Sequence, residues 1–116
     1  MAAVIRLQDL TTNTVTSAAT VVQRLAESAD VGNYSRVAMQ VRVAVAASSD
    51  LDLYLEHAAV LDEDAFIRVD ASLIDLTTSG NQYVALGDLL RFCRWRLESA
   101  ATDDATFTID LVCREY

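Results

Sequence analysis

The chain of 116 residues contains no proline and no lysine, only three glycines, two cysteines and one histidine. Each scarcity excludes something. With no proline and glycine confined to Gly32, Gly80 and Gly87, there is no flexible or Pro-rich linker and no low-complexity tract. No self-similarity recurs with a period of about 20–50 residues, which excludes a solenoid or propeller. Cys93 and Cys113 are too few for a disulfide scaffold and lack metal-ligand spacing, so both are expected as free thiols in the core. His57 has no second His or Cys beside it, which argues against structural zinc. No apolar run approaches the roughly 18 residues that cross a bilayer. The start MAAVIRLQDLTTNT lacks a basic segment followed by an apolar one, the mark of a secretion leader, so synthesis in the cytoplasm is the expectation.

All nine cations are therefore arginine, set against 17 acidic residues, for a net charge of −8 and a pI of about 4.3. Binding to nucleic acid or to an anionic membrane needs a net basic surface, so neither partner is expected. Arginine pairs carboxylates in a planar, bidentate way that suits buried or interfacial contacts.

What is present in quantity is alternation. Hydrophobic residues make up 53% of the chain, enough for one core in a single domain spanning residues 1–116. In RVAMQVRVAVA (36–46) Val37, Met39, Val41, Val43 and Val45 alternate with outward Gln40 and Arg42. Leu51, Leu53 and Leu55 alternate with Asp52, Tyr54 and Glu56, and Phe107, Ile109, Leu111 and Cys113 with Thr108, Asp110 and Arg114. Period two marks half-buried strands. Further strands are expected at 4–10, 14–23, 66–75 and 82–86, separated by SSD, LDED, TSGN and ATDD. Short strands at near-regular spacing predict an all-β protein, an antiparallel β-sandwich of jelly-roll type. Ala18, Val21, Val22 and Leu25 have helical spacing, so a short helix in the N-terminal third is allowed.

LLRFCRWRLE (89–98) places Arg91, Arg94 and Arg96 around Cys93 and Trp95. Nucleic-acid stacking needs an exposed aromatic, but parity sends Cys93, Trp95 and Leu97 inward and Arg94 and Arg96 outward. Residues 92–98 and 105–114 then predict a hairpin over SAATDDA. A turn centred on Asp103 sets Trp95 opposite Leu111, Arg96 opposite Asp110 and the two cysteines opposite each other. A turn centred on Thr102 sets Arg94 opposite Asp110 instead, with the same faces.

The acidic runs 62–64 and 103–104 lack the glycine and spacing of a calcium loop and are expected as solvated loops. Asp50 and Asp52 flank a strand start, where capping or exposure is usual. His57 has neither nucleophile nor orienting acid around it, as a surface or loop histidine would not, and the glycines form no phosphate loop. No catalytic residue, cofactor or metal is expected.

YSRVAMQVRVAV (34–45), DLDLYLEH (50–57), NQYVALGDLLRFCRWRLES (81–99) and TFTIDLVCREY (106–116), in this order, resemble a group of small bacteriophage virion proteins. The resemblance covers roughly residues 34–116 and departs from that group in the turn AASSD after Val45, which has no Gly or Pro, and in the segment LLRFCR, which replaces a more usual aromatic at its centre. It implies a non-enzymatic β-sandwich of a virion, attached to capsid or tail, with a capsid decoration or minor head protein as the leading role. Partners would be coat protein or other virion proteins and further copies of the chain, contacted through outward Arg42, Arg94, Arg96 and Arg114. The competing expectation is a carbohydrate-binding sandwich of a tail or surface structure, which would need Tyr34, Tyr54 and Tyr83 on one exposed face.

Overall fold

The structure, a computed structural model, describes residues 2–16 and 19–115. Its strands are β1 (Ala2–Val15), β2 (Thr20–Val22), β3 (Ala29–Asp30), β4 (Arg36–Val45), β5 (Asp52–Ala58), β6 (Ile67–Arg68), β7 (Ile74–Asp75), β8 (Gly80–Gly87), β9 (Phe92–Glu98) and β10 (Asp103–Arg114). The first sheet runs β1-β10-β4-β8; the second runs β2-β9-β5-β6, with β3 also on β9 and β7 also on β5. All pairings are antiparallel.

The pairing has a simple order. β1 pairs with β10, β2 with β9, β4 with β8, and β5 with β6 and β7. The chain is thus one long hairpin with its tip at 59–66, rolled so that successive pairs fall on alternate sheets. That is a jelly roll, two Greek keys sharing one core. The inward residues of the alternating segments meet there: Met39 and Val41 from β4, Leu53 and Leu55 from β5, Cys93, Trp95 and Leu97 from β9, and Phe107, Ile109, Leu111 and Cys113 from β10.

Three local expectations change. The helical spacing in 18–29 yields only a single 3-10 turn, Leu25–Glu27, after β2; Ala18 lies outside the described residues, as does Ser17 within the expected strand 14–23. Residues 66–75 are a broken edge rather than one strand. A 3-10 turn at Asp70–Ser72 separates β6 from β7, and the buried Ser72 hydroxyl takes the Leu55 N–H at 2.8 Å where a strand partner would have done so. His57 sits within β5, half-buried, rather than in a loop. Its Nδ1 accepts the Leu90 N–H at 3.1 Å, and burial pushes its pKa down.

The hairpin of 92–98 with 105–114 does not form. β9 pairs with β5, setting Trp95 opposite Leu55, Arg96 opposite Tyr54 and Arg94 opposite Glu56, whereas β10 lies in the other sheet between β1 and β4. Period-two parity fixes which face a side chain takes but is satisfied by any antiparallel neighbour. Asp103, at the start of β10, is buried, not solvated. Its carboxylate accepts the backbone N–H groups of Ser48, Ser49 and Asp50 at 3.0, 2.7 and 3.1 Å, as well as both serine hydroxyls. The start of β10 is thereby tied to the β4–β5 loop. These backbone donors hold the Asp103 pKa far below the ordinary carboxylate value.

Register also fixes the two ends of the sandwich. The end carrying the Asp103 clamp holds Val45, Asp52, Asp75 and Glu98; the opposite end holds Arg36, Gly87, Phe92 and Arg114. Gly87, at φ +72°, sits where the β4–β8 register slips between Val37 and Ala38, a bulge that asks for a left-handed residue.

Candidate functional site: the open face of the first sheet

The two sheets differ in what covers them. On the second sheet, the tip of the rolled hairpin folds back over Glu56 and Arg94. Arg94 Nε donates to Glu56 Oε1 at 2.9 Å and Nη1 to Glu63 Oε1 at 2.7 Å, and the guanidinium stacks 4.2 Å from the Phe66 ring centroid. Arg96 donates to the second oxygen of Glu56 at 3.1 Å and to Glu98 at 2.8 Å. Arg94 is therefore on the outer side of its sheet, as parity requires, but only 5% exposed, and Arg96 is half-buried. The expectation that both stand on open surface is corrected. Alternation cannot foresee that residues 59–66 return over that face. Asp110, expected opposite Arg96 or Arg94, instead takes Arg6 of β1 in a forked pair, with Nε to Oδ1 at 2.5 Å and Nη2 to Oδ2 at 3.2 Å.

The outer face of the first sheet is open, and its register arranges it in rows. Arg114 lies directly opposite Arg36. The next row is apolar across all four strands: Val4, Val112, Ala38 and Ala85. Then follow Arg6, Asp110, Gln40 and Tyr83, and after them Thr108, Arg42 and Asn81. Val4 and Tyr83 are 66% and 67% exposed. A concavity of about 470 Å³ covers the arginine end, lined by Arg36, Arg114, Tyr83, Ala38, Val112 and Asp88. A second, of about 280 Å³, lies over Arg42, Gln40, Thr108, Asp110, Arg6 and Leu10. Two of the four expected arginines, Arg42 and Arg114, thus share this exposed face, and Arg94 and Arg96 belong to the other sheet. Arg6, Arg36 and the apolar row were not singled out in the sequence. The run VIRL around Arg6 carried the parity signal, but the row appears only once four strands are in register.

The tyrosines do not assemble. Tyr83 faces out from the first sheet, Tyr54 lies on the second against Arg68 at 4.5 Å, and Tyr34 packs on the core. The cysteines are both buried and free, and burial, with Cys113 nearby, pushes the Cys93 thiol up to about 12. Among the described residues, no three His, Cys, Asp or Glu side chains are arranged to hold a metal ion, and no helix is long and apolar enough to cross a membrane.

No family model matches the chain, and no curated protein matches it. Solved structures do share its fold. The PBSX exported protein XepA matches with a TM-score of 0.59 at 12% identity, over 100% of this chain and 37% of its own. PirA matches with a TM-score of 0.54 at 10% identity, over 85% of this chain and 89% of its own. A chain from Bacillus endospore appendages, described as disulfide-linked pili, matches with a TM-score of 0.50 at 9% identity, over 100% of this chain and 92% of its own. This chain thus spans little more than a third of XepA, and the likeness to all of them is one of architecture: two antiparallel sheets packed face to face.

Proposed function

We propose that the chain, acting as one β-sandwich domain, is a non-enzymatic structural component of a phage or phage-like particle that decorates the capsid. It docks through the open face of its first sheet on coat protein or another virion protein, and it forms homo-oligomers in the particle. Arg42 and Arg114 face the partner, whereas Arg94 and Arg96 hold the second sheet and its tip together. The observation that carries this reading is the asymmetry of covering. One sheet is closed by the chain's own tip; the other presents an apolar row flanked by arginines on a protein of net charge −8. An exposed apolar strip rimmed by polar groups is how a contact surface is built. A structural protein must hold its partner without chemistry, so buried area and fixed polar pairs supply the affinity. The fold shared with a PBSX exported protein and with a pilus-forming protein, and the resemblance of residues 34–116 to small virion proteins, agree with this role.

The test is co-sedimentation with particles assembled without the protein. Wild type should pellet with them, and Arg42→Glu should weaken that binding at low salt while leaving Tm unchanged. Failure to pellet at saturating concentration, or binding indifferent to Arg42→Glu and to Ala85→Glu, would refute the docking face.

A further inference from the structure

Two rows of like charge lie at diagonally opposite corners of the sandwich. On the first sheet Arg36 and Arg114 are directly opposed on neighbouring strands. On the second sheet, at the other end, Asp75, Asp52 and Glu98 form a row across three neighbouring strands, β7, β5 and β9, in which Glu98 also takes Arg96 at 2.8 Å. Asp50 joins Asp52 and Glu98 in the shallow concavity there. Like charges directly opposed across a sheet are destabilising. Asp52 registers the strain: burial first, then Asp50, Asp75 and Glu98, push its pKa up. The tip that covers Glu56 and Arg94 stops short of this corner, where Asp75 is exposed and Asp52 and Glu98 are half-exposed.

We infer that the arginine row of one copy docks on the carboxylate row of the next, so that the protein associates head to tail with itself. This names a partner for the docking face and rests on reading that face as a contact surface. The spacing is complementary. Both rows step from strand to strand, at about 4.8 Å, so Arg36 and Arg114 each meet a carboxylate of the facing copy, in the forked geometry arginine favours. The apolar row Val4, Val112, Ala38 and Ala85 lies beside the arginines and supplies area to the same contact. Because the two rows sit on opposite faces and at opposite ends, docking is heterologous. A two-fold dimer through this face would set the face against its own copy and leave the carboxylate row out of the contact. Head-to-tail contact leaves one row undocked on each terminal copy and propagates until it closes a ring or extends as a chain. A patch within one four-stranded face offers a few hundred Å² per partner, below the roughly 800 Å² of a standard interface. The association is therefore weak, dependent on concentration and sensitive to salt.

Sedimentation velocity on the purified chain, with no coat protein present, tests this. Wild type should grow beyond a monomer as concentration rises to hundreds of micromolar and revert at high salt. Arg36→Glu with Arg114→Glu gives a variant with two acidic corners; Asp52→Arg with Glu98→Arg gives one with two basic corners. Each alone should stay monomeric with a folded circular dichroism spectrum. Mixed one to one, they should associate again and build species larger than a dimer. Should either double variant fail to fold, Arg114→Gln and Asp52→Asn replace them, each expected to weaken association at least threefold. A wild type monomeric throughout, double variants that associate as wild type does, or a mixture that stops at a dimer would each overturn the head-to-tail contact. Particle binding is read separately, so a chain that self-associates but does not pellet with particles rejects the capsid role alone.

Discussion

Replacing Arg94 tests the account of the covered sheet most directly. Arg94 and Glu56 have side chains only 6% and 4% exposed and are joined at 2.9 Å, and Arg94 also carries Glu63 and the Phe66 ring from the tip. Removing one member of a buried pair leaves the other charged and poorly solvated, at a cost of about 3–5 kcal/mol. Here Glu56 keeps Arg96 at 3.1 Å and Arg94 keeps Glu63 at 2.7 Å, which places both Arg94→Ala and Glu56→Ala toward the lower end. A chain of this size has a total stability of roughly 6–17 kcal/mol, so either change should lower the urea midpoint substantially. Replacing both, with Arg94→Met and Glu56→Leu, removes the desolvated charges together. Arg96 and Glu63 then lose a partner but stay in contact with water, since their side chains are 33% and 57% exposed. The double variant should therefore recover most of the loss or exceed wild type, as buried pairs replaced by apolar groups of similar volume commonly do. Urea unfolding of wild type, Arg94→Met, Glu56→Leu and the double variant closes the cycle. An Arg94→Ala change below about 1 kcal/mol, the range of exposed pairs, or a double variant as unstable as the sum of the singles, would show that the tip does not close over this cluster.

Other outcomes follow from single residues. Trp95→Ala should cost about 3–5 kcal/mol in urea unfolding, since the ring is 6% exposed and its Nε1 donates to Gln8 at 2.9 Å; an unchanged midpoint would overturn its place in the core. Asp103→Asn should destabilise at pH 7, and the gap from wild type should close as pH falls below about 4, because a carboxylate with a depressed native pKa contributes above its unfolded value and is lost on protonation. Asp52→Asn should do the reverse, melting higher than wild type at neutral pH and converging with it in acid, because the native pKa of Asp52 is raised. Cys93 and Cys113 should resist a thiol reagent in the native protein and titrate as two thiols once denatured; no thiols on denaturation without reductant would mean a disulfide.

Much of this fold is legible in the sequence because period-two alternation reports burial directly. Val37 to Val43, Leu51 to Leu55, Cys93 to Leu97 and Phe107 to Cys113 all have their inward residues in one core. The choice of partner strand is not legible in the same way. β9 and β10 are neighbours in sequence and their parities match, yet they lie in different sheets, and a carboxylate expected to be solvated is instead buried on the loop at 48–50. Nor does alternation reveal what covers an outer face. Arg94 and Arg42 have the same outward parity, but one lies under Phe66 and Glu63 and the other stands on open sheet. For the docking surface, the strands and their faces were readable. The apolar row, by contrast, takes one residue from each of β1, β10, β4 and β8, widely separated in sequence, and exists only in the assembled register.

The rolled hairpin also explains why the two sheets end with different surfaces. The tip of such a hairpin belongs to whichever sheet receives the innermost pair, here β5 with β6 and β7. That sheet alone has a length of chain at hand to cover its outer side. The first sheet receives the outermost pair, β1 with β10, and the pair β4 with β8, whose connections all run to the other sheet at the two ends. On the first sheet the outward Val4, Arg42, Tyr83 and Arg114 stay exposed, whereas on the second sheet outward charges near the tip are enclosed and must be matched internally. The distribution of charge follows this division. Glu56, Arg94, Glu63 and Arg96 compensate one another at contact distance, and Arg42 stands exposed on the open sheet. The contrast supplies a direct comparison for mutagenesis. Removing charge beneath the tip should alter unfolding, and reversing charge on the open face should alter association with little change in Tm.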